Sequence, residues 1–215
     1  MSTERTLAPG VVQHEFASNT LPPFSSTWLT LLHAEGRGMF VDPGFRDPAD
    51  AERAVAWARR HGVRDVDRVV LTHTHRDHLD GLPRLLARLG DAKVHVHPLE
   101  AERLPCAAPV VPTADDRLLV LGGMRVRTLH TPGHAIGHLA LEVEADGLRG
   151  VVAGDLVTGS GGSWIGLPEG DVRAYVASLE RVRAAKPEWL AVAHGAIPCE
   201  PDVALRDAIA HRHAR

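Results

Sequence analysis

The stretch LTHTHRDHLDGLP, residues 71–83, places four potential metal ligands within six positions: His73, His75, Asp77 and His78. Because side chains alternate along an extended chain, His73 and His75 are expected to point to the same side. Asp77 and His78 come after the chain turns, so they can approach from a different side. This arrangement suits two neighbouring metal ions better than one.

The sequence around this stretch predicts alternating groups of strands and helices. Strands are predicted at 10–16, 27–34, 39–44, 66–72, 93–97, 117–121, 124–130, 138–144, 149–154 and 189–193. Helices are predicted at 48–61, 79–89, 98–104, 171–185 and 201–213. Asp47 is the expected N-cap of the first helix, with Pro48 at its first position. Strands followed by helices, twice, predict two sheets packed together with helices outside, in one domain spanning 1–215.

Three further short stretches carry histidine or aspartate where a predicted strand ends or turns. They are TPGH at 131–134, AGDL at 153–156 and AHG at 193–195. Turns that follow strands are places where a rigid scaffold can aim side chains at one point. The candidate ligands in these stretches are His134, Asp155 and His194.

The combination of these stretches resembles the metallo-β-lactamase superfamily. THTHRDH at 72–78 is similar to its His-x-His-x-Asp-His motif, and the three later stretches match its remaining ligand motifs in order and spacing. VDPG at 41–44 is similar to its early Asp-x-Gly turn, with Asp42 as the matching acid. The resemblance covers nearly the whole chain. It implies an α/β fold, a four-layer αββα sandwich with the metal ions at one edge of the two sheets.

The resemblance also implies a role for each ligand. One ion would be bound by His73, His75 and His134, and the other by Asp77, His78 and His194. Asp155 would bridge both ions together with a water or hydroxide, and Asp77 would in addition orient the water and carry a proton. Nitrogen and oxygen ligands suit two divalent ions such as zinc, with manganese or iron as alternatives.

Such a centre is expected to catalyse hydrolysis, because a metal-bound water has its pKa lowered to about 7 and supplies hydroxide at neutral pH. The expected substrate is a small molecule that contains an ester, a thioester or a lactone. The segments 154–182 and 208–215 look closest to a branch that contains the mitochondrial β-lactamase-like endoribonuclease, so cleavage of RNA is an alternative. The formal net charge of −3 weakens that alternative, because contacts to phosphate normally supply much of the affinity for nucleic acid.

Two further alternatives belong to other classes. Persulfide dioxygenases resemble this pattern but bind one iron, through residues that match His73, His134 and Asp155 here. A binding protein with a degenerate site is the third class, although no ligand position is missing from this sequence. Asp155 stands where many true β-lactamases of the commonest group have a cysteine, which argues against hydrolysis of antibiotics.

The substrate is expected to lie between two loops. Loop 158–170 follows Asp155 closely and would contribute Trp164 and Ile165, while Phe24 would come from loop 18–26 on the opposite side. Packing of Trp164 against the helix after Asp171 is an equally good interpretation.

The remaining features set broad limits. Two cysteines, Cys106 and Cys199, are too few for a disulfide framework, and no apolar run is long enough to span a membrane. We therefore expect a cytoplasmic protein. The oligomeric state stays open, with a dimer among the alternatives. His138, four residues after His134, is interpreted either as a residue that orients a ligand or as a surface histidine.

Overall fold

The computed structural model describes residues 3–105, 109–159 and 163–214. Within these ranges two β-sheets lie face to face. The strands of the first sheet are ordered in space as in the chain: β1 (Glu4–Ala8), β2 (Val11–Ala17), β3 (Ser26–Ala34), β4 (Arg37–Val41), β5 (Asp65–Val70), β6 (Lys93–Val96) and β7 (Val110–Pro112). The second sheet contains β8 (Leu118–Leu121), β9 (Met124–His130), β10 (Leu139–Ala145), β11 (Leu148–Gly154) and β12 (Trp189–Val192), in the order β12-β11-β10-β9-β8.

Helices cover the outer faces of both sheets. They are α1 (Asp50–Arg60), α2 (Arg76–Leu79), α3 (Leu82–Leu89), α4 (Val172–Ala184) and α5 (Pro201–His213), together with a 3-10 helix at Pro98–Arg103. Helices α1 and α3 pack on the first sheet, and α4 and α5 pack on the second.

Alternation along the strands produces the apolar layers between these elements. In β4, Phe40 packs towards α1 and α3, whereas Met39 and Val41 pack towards the second sheet. In β11, Val152 faces the first sheet, whereas Val151 faces α4 and α5. The chain therefore has the predicted αββα sandwich, and each sheet is apolar on both faces.

The pairing of the strands brings the ligand segments to one edge of the sandwich. Strands β4 and β5 are parallel neighbours, as are β11 and β12, so the carboxyl ends of each pair lie side by side. Asp155 and His194 closely follow β11 and β12. The backbone N–H of Leu139 donates to the carbonyl of Thr72 at 2.7 Å and joins the two sheets at this edge.

The first helix begins later than the sequence predicts. Helix α1 begins at Asp50, not at Pro48, and Asp47 does not cap it. The Asp47 carboxylate accepts the backbone N–H of Ala49 at 2.9 Å instead, which closes a turn ahead of the helix. Pro48 therefore lies in this turn.

Two short strands were not predicted. Strand β1 pairs with β2, and β7 pairs with β6 at the other end of the first sheet. Strand β5 ends at Val70, two residues before the predicted end, so His73 and His75 lie in the irregular segment after it.

The described residues also bear on the cysteine and membrane predictions. Cys199 is an exposed free thiol, and Cys106 lies outside the described residues. Among the helices of the described chain, none combines the length and the apolar character needed to cross a membrane.

Candidate metal centre

Three histidines converge at the edge of the sandwich, as the sequence predicts. His75 Nδ1 lies 2.9 Å from His73 Nε2 and 2.9 Å from His134 Nε2, and the latter two atoms are 3.2 Å apart. His73 and His134 are buried, and His75 is partly buried. Three imidazole nitrogens at this spacing can bind one metal ion. We refer to them as the three-histidine group.

A second group lies beside the first. His194 Nε2 is 3.2 Å from Asp77 Oδ2, and His78 Nε2 is 4.0 Å from the same oxygen. These three residues also meet the geometric requirement for a metal site. We refer to Asp77, His78 and His194 as the aspartate group.

Asp155 lies between the two groups and directs one oxygen to each. Its Oδ1 is 3.2 Å from His78 Nε2 and 3.3 Å from His194 Nε2. Its Oδ2 is 3.4 Å from His134 Nε2. The structure thus brings together all seven predicted ligands, with Asp155 in the position of a bridge.

Unpartnered polar atoms show that this donor set fits metal ions. His78 Nε2, His194 Nε2 and Asp155 Oδ1 are buried and have no hydrogen-bond partner among the described residues. Leaving such atoms unpaired costs free energy, and a metal ion would satisfy all three of them. Imidazole and carboxylate donors of this kind are ligands for zinc, manganese or iron.

The outer nitrogens of four ligand histidines contact hydrogen-bond acceptors. Nδ1 of His73 lies 3.0 Å from the Thr72 hydroxyl, and Nδ1 of His134 lies 2.7 Å from the carbonyl of Trp164. For the aspartate group the acceptors are Asp42 Oδ2, 2.9 Å from His78 Nδ1, and the carbonyl of Ser26, 2.9 Å from His194 Nδ1. Such acceptors fix the ring orientation and leave the other nitrogen free to bind metal.

Asp42, the acid of the VDPG turn, therefore contacts a predicted ligand, His78, on the side away from the metal site. Its Oδ1 accepts the backbone N–H of Thr72 at 2.8 Å, and its Oδ2 accepts the Thr72 hydroxyl at 2.7 Å. The turn also needs Gly44, because a Cβ there would lie 1.5 Å from the carbonyl oxygen of Asp77. The turn thus fixes both the start of the ligand segment and the orientation of His78.

The charges differ strongly between neighbouring ligands. Burial and the nearby imidazoles lower the pKa of His73 well below its ordinary value. Burial opposes the charge on His78 too, yet Asp155 and Asp42 raise the pKa of His78 well above the ordinary value. Burial alone would raise the pKa of Asp77, but the charge of His78 and the His194 ring, whose Nε2 lies 3.2 Å from Asp77 Oδ2, lower it to about 2. Asp77 is therefore ionised at neutral pH.

His138 is not a surface histidine. Its ring is fully buried, its centroid lies 5.3 Å from that of His73, and its Nδ1 lies 2.8 Å from the Thr131 hydroxyl. Its Nε2 is 2.7 Å from the position that a Cβ on Gly154 would occupy, so only glycine fits there. The side chain therefore packs beneath the ligands, next to His73.

Two acids near the centre, one buried and one partly buried, were not found from the sequence. Glu100, on the 3-10 helix, is fully buried; it accepts the hydroxyl of Thr74 and the backbone N–H of Gly137, the latter at 2.9 Å. Glu169 Oε2 lies 3.8 Å from His75 Nε2. Neither glutamate lies in a ligand motif, so only the fold reveals their position.

The predicted substrate contacts lie around this centre. Phe24 stacks on the ring of His194 with a centroid distance of 5.2 Å. Trp164 is 58% exposed, and its ring lies against Gly166. Ile165 packs partly against the core between the second sheet and its helices. A contact of these side chains with substrate stays a prediction.

Comparison with known proteins gives the family. A family model described as the metallo-beta-lactamase superfamily matches residues 22–194. A hydroxyacylglutathione hydrolase of Acidiphilium cryptum is 32% identical over 180 residues, which is 81% of this chain and 66% of that protein. A beta-lactamase-like protein 2 homolog of Drosophila melanogaster is 26% identical over 193 residues, 86% of this chain and 64% of that protein. The chain thus spans about two thirds of the length of these relatives.

A solved structure agrees at the level of the fold. A metallo-beta-lactamase family protein of Thermus thermophilus superposes with a TM-score of 0.80 at 23% identity, covering 96% of this chain and 80% of that one. The matched segment, residues 22–194, ends at the last of the seven predicted ligands and contains the other six. The chain belongs to the metallo-beta-lactamase superfamily.

Proposed function

We propose that this chain is a metal-dependent hydrolase with two divalent ions, and that it cleaves an ester, thioester or lactone of a small molecule. The position of Asp155 carries the proposal, because one carboxylate directs its two oxygens to two separate groups of ligands. Two ions bound there would be zinc, with manganese or iron as alternatives, and they would lower the pKa of water to about 7.

Asp77 has a second task in this proposal. Its carboxylate is ionised, since its pKa is about 2, and its side chain is 13% exposed and therefore reachable by water. An ionised oxygen at this place can accept a hydrogen bond from the attacking water and so orient it. Asp77 is thus proposed both as a ligand and as the group that orients the nucleophile.

The relatives and the surroundings of the centre support an acyl substrate. The curated relatives named hydroxyacylglutathione hydrolase act, by their name, on an acyl derivative of glutathione, which favours a thioester here. Tyr175, the single tyrosine of the chain, is fully buried and donates to the carbonyl of Leu156 at 2.6 Å, so its hydroxyl is not free to contact a substrate. We propose instead that Trp164, Ile165 and Phe24 contact an apolar part of the substrate.

Metal content per chain tests the proposal most directly. Protein purified without added metal should contain close to two zinc or manganese ions per chain by elemental analysis. Removal of the ions with a chelator should abolish hydrolysis in a panel of thioesters, lactones and phosphodiesters, and adding back zinc or manganese should restore it. The variant His75→Ala should lose one ion, whereas His213→Ala, at the exposed end of α5, should keep both.

Other outcomes would change the assignment. One iron per chain, with oxygen consumed in the presence of a persulfide, would replace hydrolysis by oxygen chemistry. Cleavage confined to the phosphodiesters would favour RNA as the substrate. Protein that binds no metal ion would leave only a binding function.

A further inference from the structure

The outer nitrogen of His75 differs from those of the other ligand histidines. His75 directs its Nδ1 towards His73 and His134, so its Nε2 faces away from the three-histidine group. The outer nitrogens of the other four histidines contact acceptors at 2.7–3.0 Å. His75 Nε2 has a single acid beside it among the described residues, Glu169.

Glu169 is placed to serve as the acceptor for the outer nitrogen of His75. Its Oε2 lies 3.8 Å from His75 Nε2, and this oxygen is buried without a hydrogen-bond partner among the described residues. A charge-assisted N–H···O bond is about 2.7–2.9 Å long, so a movement of roughly 1 Å would form it. The unpaired oxygen favours that movement, because a buried carboxylate oxygen without a donor is costly.

The other oxygen of Glu169 is held by Arg103. The guanidinium of Arg103 contacts Glu169 Oε1 and also lies 3.7 Å from Glu100 Oε2. Glu100 in turn accepts hydrogen bonds from Thr74, which lies between two ligand histidines, and from Gly137 in the turn after His134. Glu169 is therefore tied to the same framework that fixes the ligand segments.

We infer that Glu169 is a positioning residue, whose Oε2 accepts the Nε2–H of His75 and so links segment 163–170 to the three-histidine group. The inference rests on the metal centre of the proposed function. The same segment supplies the Trp164 carbonyl that binds His134 Nδ1. Two of the three histidines are thus oriented by one loop, and displacement of this loop weakens metal binding at that group alone.

Zinc titration of the metal-free protein tests the inference. The variants are Glu169→Ala, Glu169→Gln and, as a matched control, Glu52→Ala, which removes an exposed carboxylate paired with Arg88 on the helices α1 and α3. Competition with a chromophoric chelator resolves the binding steps. Glu169→Ala should weaken one of two steps by about 10–100-fold, since removal of such acceptors has that effect. Glu169→Gln should keep most of the affinity, because its amide oxygen accepts the same hydrogen bond.

A structural role for Glu169 would give a different result. It would lower the thermal unfolding temperature of the metal-free protein, whereas a positioning role leaves that temperature unchanged and alters zinc affinity. Two zinc ions bound by Glu169→Ala as tightly as by the unaltered chain would overturn the inference and leave the proposed function standing. An unaltered chain that binds no zinc, manganese or iron would overturn both.

Discussion

The two halves of the candidate metal centre are held by different parts of the molecule. In the three-histidine group, His134 is oriented by the Trp164 carbonyl, and His75 faces Glu169, so the loop 163–170 supports two of its ligands. In the aspartate group, His78 is oriented by Asp42 at the end of β4, and His194 by the Ser26 carbonyl at the start of β3. One half therefore depends on a surface loop and the other on the sheet.

The two halves also differ in charge. The pKa of His73 is held well below its ordinary value and that of His75 is lowered, in both cases first by burial and then by neighbouring imidazoles. The pKa values of His78 and His194 are raised in spite of burial, because Asp155 and Asp77 lie beside them. His73 and His75 are thus ready to bind a cation as neutral imidazoles, whereas His78 and His194 must release protons.

Replacement of Asp155 should have the largest effect on metal binding and activity, because Asp155 is the one predicted ligand that both halves share. Asp155→Ala removes the carboxylate that directs one oxygen to each group. We therefore expect weaker binding of both ions and a loss of hydrolysis by several orders of magnitude. Elemental analysis and initial rates measure this. A variant that binds two ions and retains full activity, with an unchanged circular-dichroism spectrum, would contradict the bridging role.

Loss of the acceptor next to His78 should affect the aspartate group most. A smaller effect on the three-histidine group is expected, because Asp42 also accepts the Thr72 hydroxyl that contacts His73 Nδ1. Asp42→Asn removes the charge beneath His78, and we expect the affinity of the aspartate group for its ion to fall about 10–100-fold. Ser163→Ala removes only a 3.0 Å contact to His134 Nδ1, whose main acceptor, the Trp164 carbonyl, remains. Its effect should be much smaller. Equal losses in the two variants, measured by chelator competition, would show that the halves are not separately supported.

The pH dependence of metal binding should separate the halves further. A group whose pKa is raised holds its proton above pH 6.5, and an incoming metal ion must displace that proton. The affinity of the aspartate group should therefore rise with pH above 6.5, whereas that of the three-histidine group should be nearly constant there. Calorimetric titrations in two buffers of different ionisation enthalpy measure the protons released at each step. Equal release at both steps would contradict the charge difference.

The residues that converge at the candidate metal centre could be found from the sequence, because short motifs carry them. His73, His75, Asp77 and His78 lie within one turn-containing segment, and the fold fixes where its backbone runs. The strand alternation that separates Met39 and Phe40 into different layers is equally local. Local patterns of this kind predict two packed sheets with helices outside, and the resemblance to the superfamily adds the edge at which the predicted ligands meet.

The supporting residues could not be found in the same way. Glu169 is 94 positions from His75, and Glu100 lies 37 positions from Gly137, so no periodic pattern relates them. Strand β7 is three residues long and exists through its pairing with β6. Asp42 was recognised as a motif, but its contact with His78 Nδ1 depends on the parallel pairing of β4 with β5. Tertiary contacts set these roles.

Replacement of Trp164 should have the smallest effect, because its backbone contacts a predicted ligand whereas its side chain is proposed to contact the substrate. Its carbonyl orients His134, while its side chain is 58% exposed and free to contact substrate. Trp164→Ala keeps the carbonyl and removes the ring, so zinc affinity and thermal stability should stay close to those of the unaltered chain. The KM for acyl substrates with a large apolar group should rise several-fold, and that for acetyl esters should change little. An equal KM for both classes of substrate would remove Trp164 from the pocket, and weaker zinc binding would show that the ring, as well as the backbone, holds the loop against His134.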